Sequence, residues 1–177
     1  PANPARAILQ GLAQLLDSAD CEIFHGSTVA TNALLERKGA RTALITTRGF
    51  EDVIEIGRQN RPRLYSLYPS RPEPLVSSAF RFGITERILY DGSVHVQLRG
   101  EELRDLREKL RRRKVQSLAV CLLFSYANPE HEKKIGRALR GLNIPISLSH
   151  IILPEYREYE RTSTTVVNAY LAPVMGR

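Results

Sequence analysis

The first residues that could do chemistry form a turn between a short apolar run and a helical pattern. His25-Gly26-Ser27-Thr28 follows Cys21–Phe24 and precedes a helix that Gly39 closes, with Val29, Ala33 and Leu34 expected on its buried side. A helix start offers free backbone N–H groups and a partial positive charge. The turn therefore either seats an anion, with Ser27 and Thr28 adding hydroxyl donors, or only caps the helix. One glycine is no phosphate motif by itself. A second donor cluster is Arg58-Gln59-Asn60-Arg61, which opens a stretch (57–78) interrupted by Pro62, Pro69, Pro72 and Pro74. Its two guanidinium forks suit a carboxylate or a phosphate. A solvated linker is the alternative for so proline-rich a loop. A third group is the hydroxyl row Thr162-Ser163-Thr164-Thr165, behind the charged run Glu155–Arg161. No residue stands out as a nucleophile. The four histidines, at 25, 95, 131 and 150, have no nearby Cys or His, so no metal-ligand spacing is present.

Regular elements must position these groups. Ile8, Leu9, Leu12, Leu15 and Leu16 fall at helical spacing, so a helix is expected over about 4–16, with Pro4 in its first turn. Strands are expected at Cys21–Phe24, Arg41–Thr46, Val115–Phe124 and Ile144–Leu148. A short helix follows the second polar turn, Thr46-Thr47-Arg48-Gly49. Two successive strand–turn–helix units predict an α/β fold with a substantially parallel sheet, whose ligands collect beyond the strands' C-terminal ends. Asp91-Gly92 signals a type I′ hairpin turn within Phe80–Val96. Leu103, Leu106 and Leu110 mark the core face of a helix over 101–114, which Arg111-Arg112-Arg113-Lys114 closes as the helix dipole favours. Asn128 and Pro129 start another helix, with Ile135, Ala138, Leu139 and Leu142 buried. A last helix begins after Pro154; its β-branched residues require tertiary support, and Pro173 is expected to end it. The pattern shifts near residue 80, giving units over 1–79, 80–153 and 154–177.

Composition narrows the class. The chain has 177 residues, 42% of them hydrophobic, and a formal charge of +7, so a packed globular core is expected. The cations are interleaved with acids, and no aromatic–basic alternation is present, which argues against nucleic acid as the partner. No apolar run approaches the roughly 20 residues of a membrane span, and no signal-peptide pattern opens the chain. Cys21 and Cys121 are the two cysteines; each falls in an expected strand as a small hydrophobe. A disulfide between them stays open, but a cytoplasmic setting is the expectation.

His25–Ala40, Thr42–Thr47, Gly49-Phe50-Glu51-Asp52-Val53, Glu55–Pro62 and Leu64-Tyr65 together resemble the N-terminal region of the hydantoinase A / 5-oxoprolinase family. Glu73–Val76, Ser125–Glu132 and Pro154–Pro173 extend the resemblance over nearly the whole chain. It implies a partial actin/sugar-kinase-like (ribonuclease H-like) α/β fold, a mixed sheet with flanking helices plus a second small α/β unit. It also implies an ATP- and Mg²⁺-dependent enzyme that phosphorylates an amide oxygen and opens a hydantoin or 5-oxoproline ring. A subunit of an acetone-type carboxylase is the alternative within the family; a non-catalytic binding or scaffold module is the alternative outside it. The phosphate-binding Asp-Gly-Gly-Thr hairpin of that fold is absent, so the chain is expected to be a fragment of a larger subunit, inactive alone, with the metal's ligands mostly elsewhere and none named here.

By the same resemblance, Gly26, Ser27 and Thr28 line the nucleotide/substrate cleft, with Asn32 one turn inward; Ser27 stands where the family usually has Thr. Arg58, Gln59, Asn60 and Arg61 orient the substrate, a small cyclic amide. Arg161, Thr162, Ser163, Thr164 and Asn168 face the same cleft. His25 acts either as an acid/base or only as a ring hydrogen-bonded to backbone. The expected partner is a hydantoinase B-type subunit or domain, with neither nucleic acid nor membrane.

Overall fold

In a computed structural model of the chain, residues 4–15, 28–58 and 73–176 are described. The four-stranded sheet runs in the order β2-β1-β5-β6 and is parallel throughout: β1 is Thr42–Thr47, β2 Arg81–Ile84, β5 Ser117–Cys121 and β6 Ile146–Leu148. Thr42–Thr47 is buried at every position, as a strand covered on both faces must be. β1 pairs with β2 and β5, joining strands from both sides of residue 80 in one sheet.

Alternation along the strands sends the core two ways. Ala43, Ile45, Leu118 and Val120 meet α4 (Gly100–Arg112) and α5 (Glu130–Leu139) through Leu103, Leu106, Leu110, Ile135 and Leu139. Leu44, Ala119 and Cys121 face Val166 and Ala169 of α7 (Glu158–Met175). The C-terminal ends of the strands therefore open between three helices.

Several expectations are corrected. The helix over Val29–Leu35 (α2) buries Ala33, but Val29 is exposed. Leu9, in the helix Pro4–Leu15 (α1), is also exposed. The short helix α3 is confined to Val53–Ile56. The two-stranded antiparallel hairpin of β3 (Arg87–Ile88) and β4 (Val94–Val96) forms, but not with a type I′ turn: only Gly92 has positive φ, and Gly92 N–H donates to Leu89 O at 3.0 Å. A type I turn followed by a left-handed glycine fits that geometry. Pro173 lies inside α7 rather than after it. The helix passes through because Gly176 N–H still donates to Ala172 O at 3.2 Å, so one missing donor near the end is absorbed.

Candidate functional site

β5 ends at Cys121, and the next backbone donors have no ladder partners. Side chains take them. Leu122 N–H donates to Glu132 Oε1 at 3.0 Å and Leu123 N–H to Thr47 Oγ1 at 3.0 Å. Phe124 then turns the chain at φ +54, and Asn128 Oδ1 accepts from Glu130 N–H at 3.1 Å, which starts α5. That start puts His131 and Glu132, both fully buried, under the strand ends.

Glu132 is the hub. Besides Leu122, it accepts from Ser149 Oγ at 2.6 Å, His150 N–H at 3.1 Å and His150 Nδ1 at 2.6 Å. Ser149 and His150 belong to the short helix α6 (Ser149–Ile152) that directly follows β6. Burial raises the carboxyl's pKa; the bonds from His150 and Ser149 and the two backbone donors outweigh it and hold Glu132 below the usual carboxylate value. The group is an anion. Because Glu132 holds the hydroxyl proton of Ser149, Ser149 accepts from Ser125 at 3.0 Å, and Ser125 accepts from Arg161 at 2.9 Å. A one-way chain of donors thus runs Arg161 → Ser125 → Ser149 → Glu132 and joins a buried cation to a buried anion. Arg161 also donates to Leu122 O at 2.9 Å and stacks over Tyr126, its carbon 5.4 Å from the ring centre. Its Nε has no partner among the described residues.

A second buried relay stands beside it. Thr47 donates to Glu86, and the other oxygen of Glu86 lies 2.7 Å from His131 Nδ1. His131 Nε2 is buried without a partner among the described residues. Thr162 Oγ1 donates to Cys121 Sγ at 3.2 Å; burial pushes that thiol up, so it stays neutral. Cys121 is a free thiol, and Cys21 lies outside the described residues.

The residues singled out from the sequence are distributed as follows. Strand Cys21–Phe24, His25, Gly26, Ser27, Gln59, Asn60 and Arg61 lie outside the described residues. Thr28 flanks α2 without capping it; its hydroxyl accepts from Asn32 Nδ2 at 3.4 Å, and both residues are exposed. Arg58 is 61% exposed and pairs with Glu160 of α7 at 2.7 Å, which ties the start of the proline-rich stretch to the first turn of that helix. Arg161 and Thr162 are buried, Ser163 bonds Glu160 O of its own helix at 3.1 Å, Thr164 is exposed, and Asn168 donates to Ser147 Oγ at 2.9 Å. Thr28 and Asn32 make no bond to Arg58 or to the first turns of α7.

The described residues do not by themselves fit a nucleotide. The cavity at the strand ends, between Thr46, Phe50, Leu122, Glu158 and Arg161, holds about 10 Å³, about the room one water needs. No group of three or more His, Cys, Asp or Glu placed to hold a metal ion occurs among the described residues. What these residues do is lock three strand ends and two helix starts in one register. Glu86, Glu132, Ser149 and His150 carried no signal of this role in sequence. Their hydrogen-bond partners are distant in the chain.

The family described as hydantoinase/oxoprolinase N-terminal region matches residues 1–142. Caprolactamase subunit alpha of Pseudomonas jessenii is 37% identical over 192 aligned positions, covering 100% of this chain and 27% of that subunit. The crystal structure of the ATP-dependent caprolactamase superposes with a TM-score of 0.89, covering 100% of this chain and 28% of that one. 5-Oxoprolinase 1 of Arabidopsis thaliana is 35% identical, over 85% of this chain and 13% of the relative. A nucleotide-free acetone carboxylase structure, 27% identical, gives a TM-score of 0.82 over 98% of this chain and 28% of that one. This chain thus spans about a quarter of the caprolactamase subunit and less of the oxoprolinase.

Proposed function

The chain belongs to the hydantoinase/oxoprolinase family, and from that premise we propose that it is the N-terminal region of an ATP-dependent enzyme that hydrolyses a cyclic amide. The observation that carries this reading is the likeness of the whole of this chain to 28% of the caprolactamase chain, 37% identical with a TM-score of 0.89. 5-Oxoproline, hydantoin and caprolactam rings share the group to be opened, a secondary amide closed into a ring. ATP supplies the activation that such an unreactive carbonyl needs.

Within that enzyme this region is the wall of the cleft, and its locked strand ends are the support. Gly26, Ser27, Thr28 and Asn32 form the rim toward the nucleotide, and His25 is the acid/base. Arg58, Gln59, Asn60 and Arg61 orient the ring, and Thr164 faces the same cleft. Arg161 and Thr162 act from beneath by fixing the first turns of α7. Mg²⁺ and its carboxylates belong to other parts of the protein, and a hydantoinase B-type subunit completes the assembly. The likeness to acetone carboxylase favours a second reading, carboxylation of a ketone.

The test uses the full-length protein with its neighbouring subunit. ADP formation is followed with 5-oxoproline, hydantoin and caprolactam, and separately with a ketone plus bicarbonate. The cyclic amides are expected to stimulate turnover. Stimulation by the ketone and bicarbonate alone would transfer the assignment to the carboxylase reading.

A further inference from the structure

Among the described residues, β6 is the last strand of the sheet on its side. Leu118 N–H donates to Pro145 O at 2.9 Å, and Leu118 is in register with Ile146. Alternate residues of a parallel strand bond to opposite sides, so the N–H and C=O of Ile146 point away from the sheet. An open edge of this kind is a template for another extended chain. A groove of about 750 Å³ runs along it, between β6 and α5. Its apolar surface includes Ile146, Leu148 and Ile151, the last 68% exposed.

The rim of that groove is cationic. Lys133 and Arg137 of α5 and Arg140, which directly follows it, recur at helical spacing along the groove, and no Asp or Glu lines it. Among the described residues none of the three is ion-paired; Arg137 only donates to Lys133 O at 3.3 Å. His150 borders the same groove, its Nδ1 held by the buried carboxylate of Glu132. Three features therefore coincide: unpaired strand backbone, an apolar floor, and a row of cations with no countercharge.

We propose that this groove receives an extended acidic segment of a second subunit, which adds to β6 as a fifth strand with alternate side chains on the apolar floor and acids under Arg137 and Arg140. The proposal rests on reading the chain as part of a multi-subunit enzyme. It is tested with the full-length protein and a fluorescent synthetic octapeptide of alternating Glu and Val, by anisotropy. Saturable binding is expected, weakened at least tenfold by the double substitution Arg137→Glu/Arg140→Glu and lost when alternate amides of the peptide are N-methylated. Both arginines are exposed, so thermal unfolding of the variant should match the parent; Ile151→Asp, outside α5, gives a second test in the same direction. No saturable binding, or binding indifferent to N-methylation, would overturn the proposal: the first leaves the groove bare or filled by the protein's own chain, the second leaves only a diffuse attraction for polyanions. ATP turnover in the same preparation is a separate readout, and its absence with peptide binding intact would remove the enzymatic reading instead.

Discussion

Glu132 decides the most at the scale of single residues. Four donors converge on its carboxylate, from Leu122 just after β5, the first residue of α6 and His150. Glu132→Ala would strand those donors in a dry interior, at an expected cost of about 3–5 kcal/mol in urea unfolding. Glu132→Gln keeps the shape and one acceptor, and should cost about 1–3 kcal/mol. The pH dependence has a definite sign. The folded protein holds this carboxyl below its ordinary value of 4.5. Its contribution is therefore full above that value and is lost as pH falls through the lower, folded one. Unfolding midpoints should drop below about pH 4.5 in the parent and do so less in Glu132→Gln; equal acid slopes would remove the charge from the account. None of this was legible in the string His131-Glu132, because the partners Glu86 and Ser149 are 45 and 17 positions away. Periodicity reports which face a residue takes, and says nothing of what it meets there.

At the scale of elements, the sequence was most readable where one apolar face repeats. Leu103, Leu106 and Leu110 of α4 and Ile135 and Leu139 of α5 are buried as spaced, whereas Ala138, expected beside them, is exposed. The parallel sheet, too, follows from strands apolar on both faces. α2 was misread at Val29, since seven residues give too little periodicity to assign a face. α7 was misread at its end, because proline's cost falls away once few hydrogen bonds remain to be lost. Its β-branched face is held by packing, and Gly39 shows how closely. A Cβ at Gly39 would lie 2.0 Å from the Tyr170 ring, while Ala40 N–H donates to Tyr170 O at 2.9 Å. Gly39→Ala should therefore destabilise by about 1–3 kcal/mol by forcing that ring aside. In a Tyr170→Ala background most of this cost should vanish. A cost that persists there would mean that the backbone at residue 39, and not the approach of α7, demands glycine.

At the scale of the whole molecule, the three layers are organised about the strands' C-terminal ends, and two buried relays keep those ends fixed. Charge fits the same division. Part of the net +7 forms the row Lys133, Arg137 and Arg140 along the groove beside β6. Among the described residues no helix is long and apolar enough to cross a membrane. Family membership was legible because the matching strings are long and lie in turns as well as in core strands. The site was less legible: His25, Gly26, Ser27, Gln59, Asn60 and Arg61 lie outside the described residues, and Arg161 and Thr162 act through partners brought together only by folding. The cyclic-amide reading is tested most directly by one count, made with the full-length protein and any subunit that purifies with it on 5-oxoproline, hydantoin and caprolactam. It predicts one ADP released for each ring opened and no opening when ATP is withheld. Ring opening that proceeds at the same rate without ATP would contradict it.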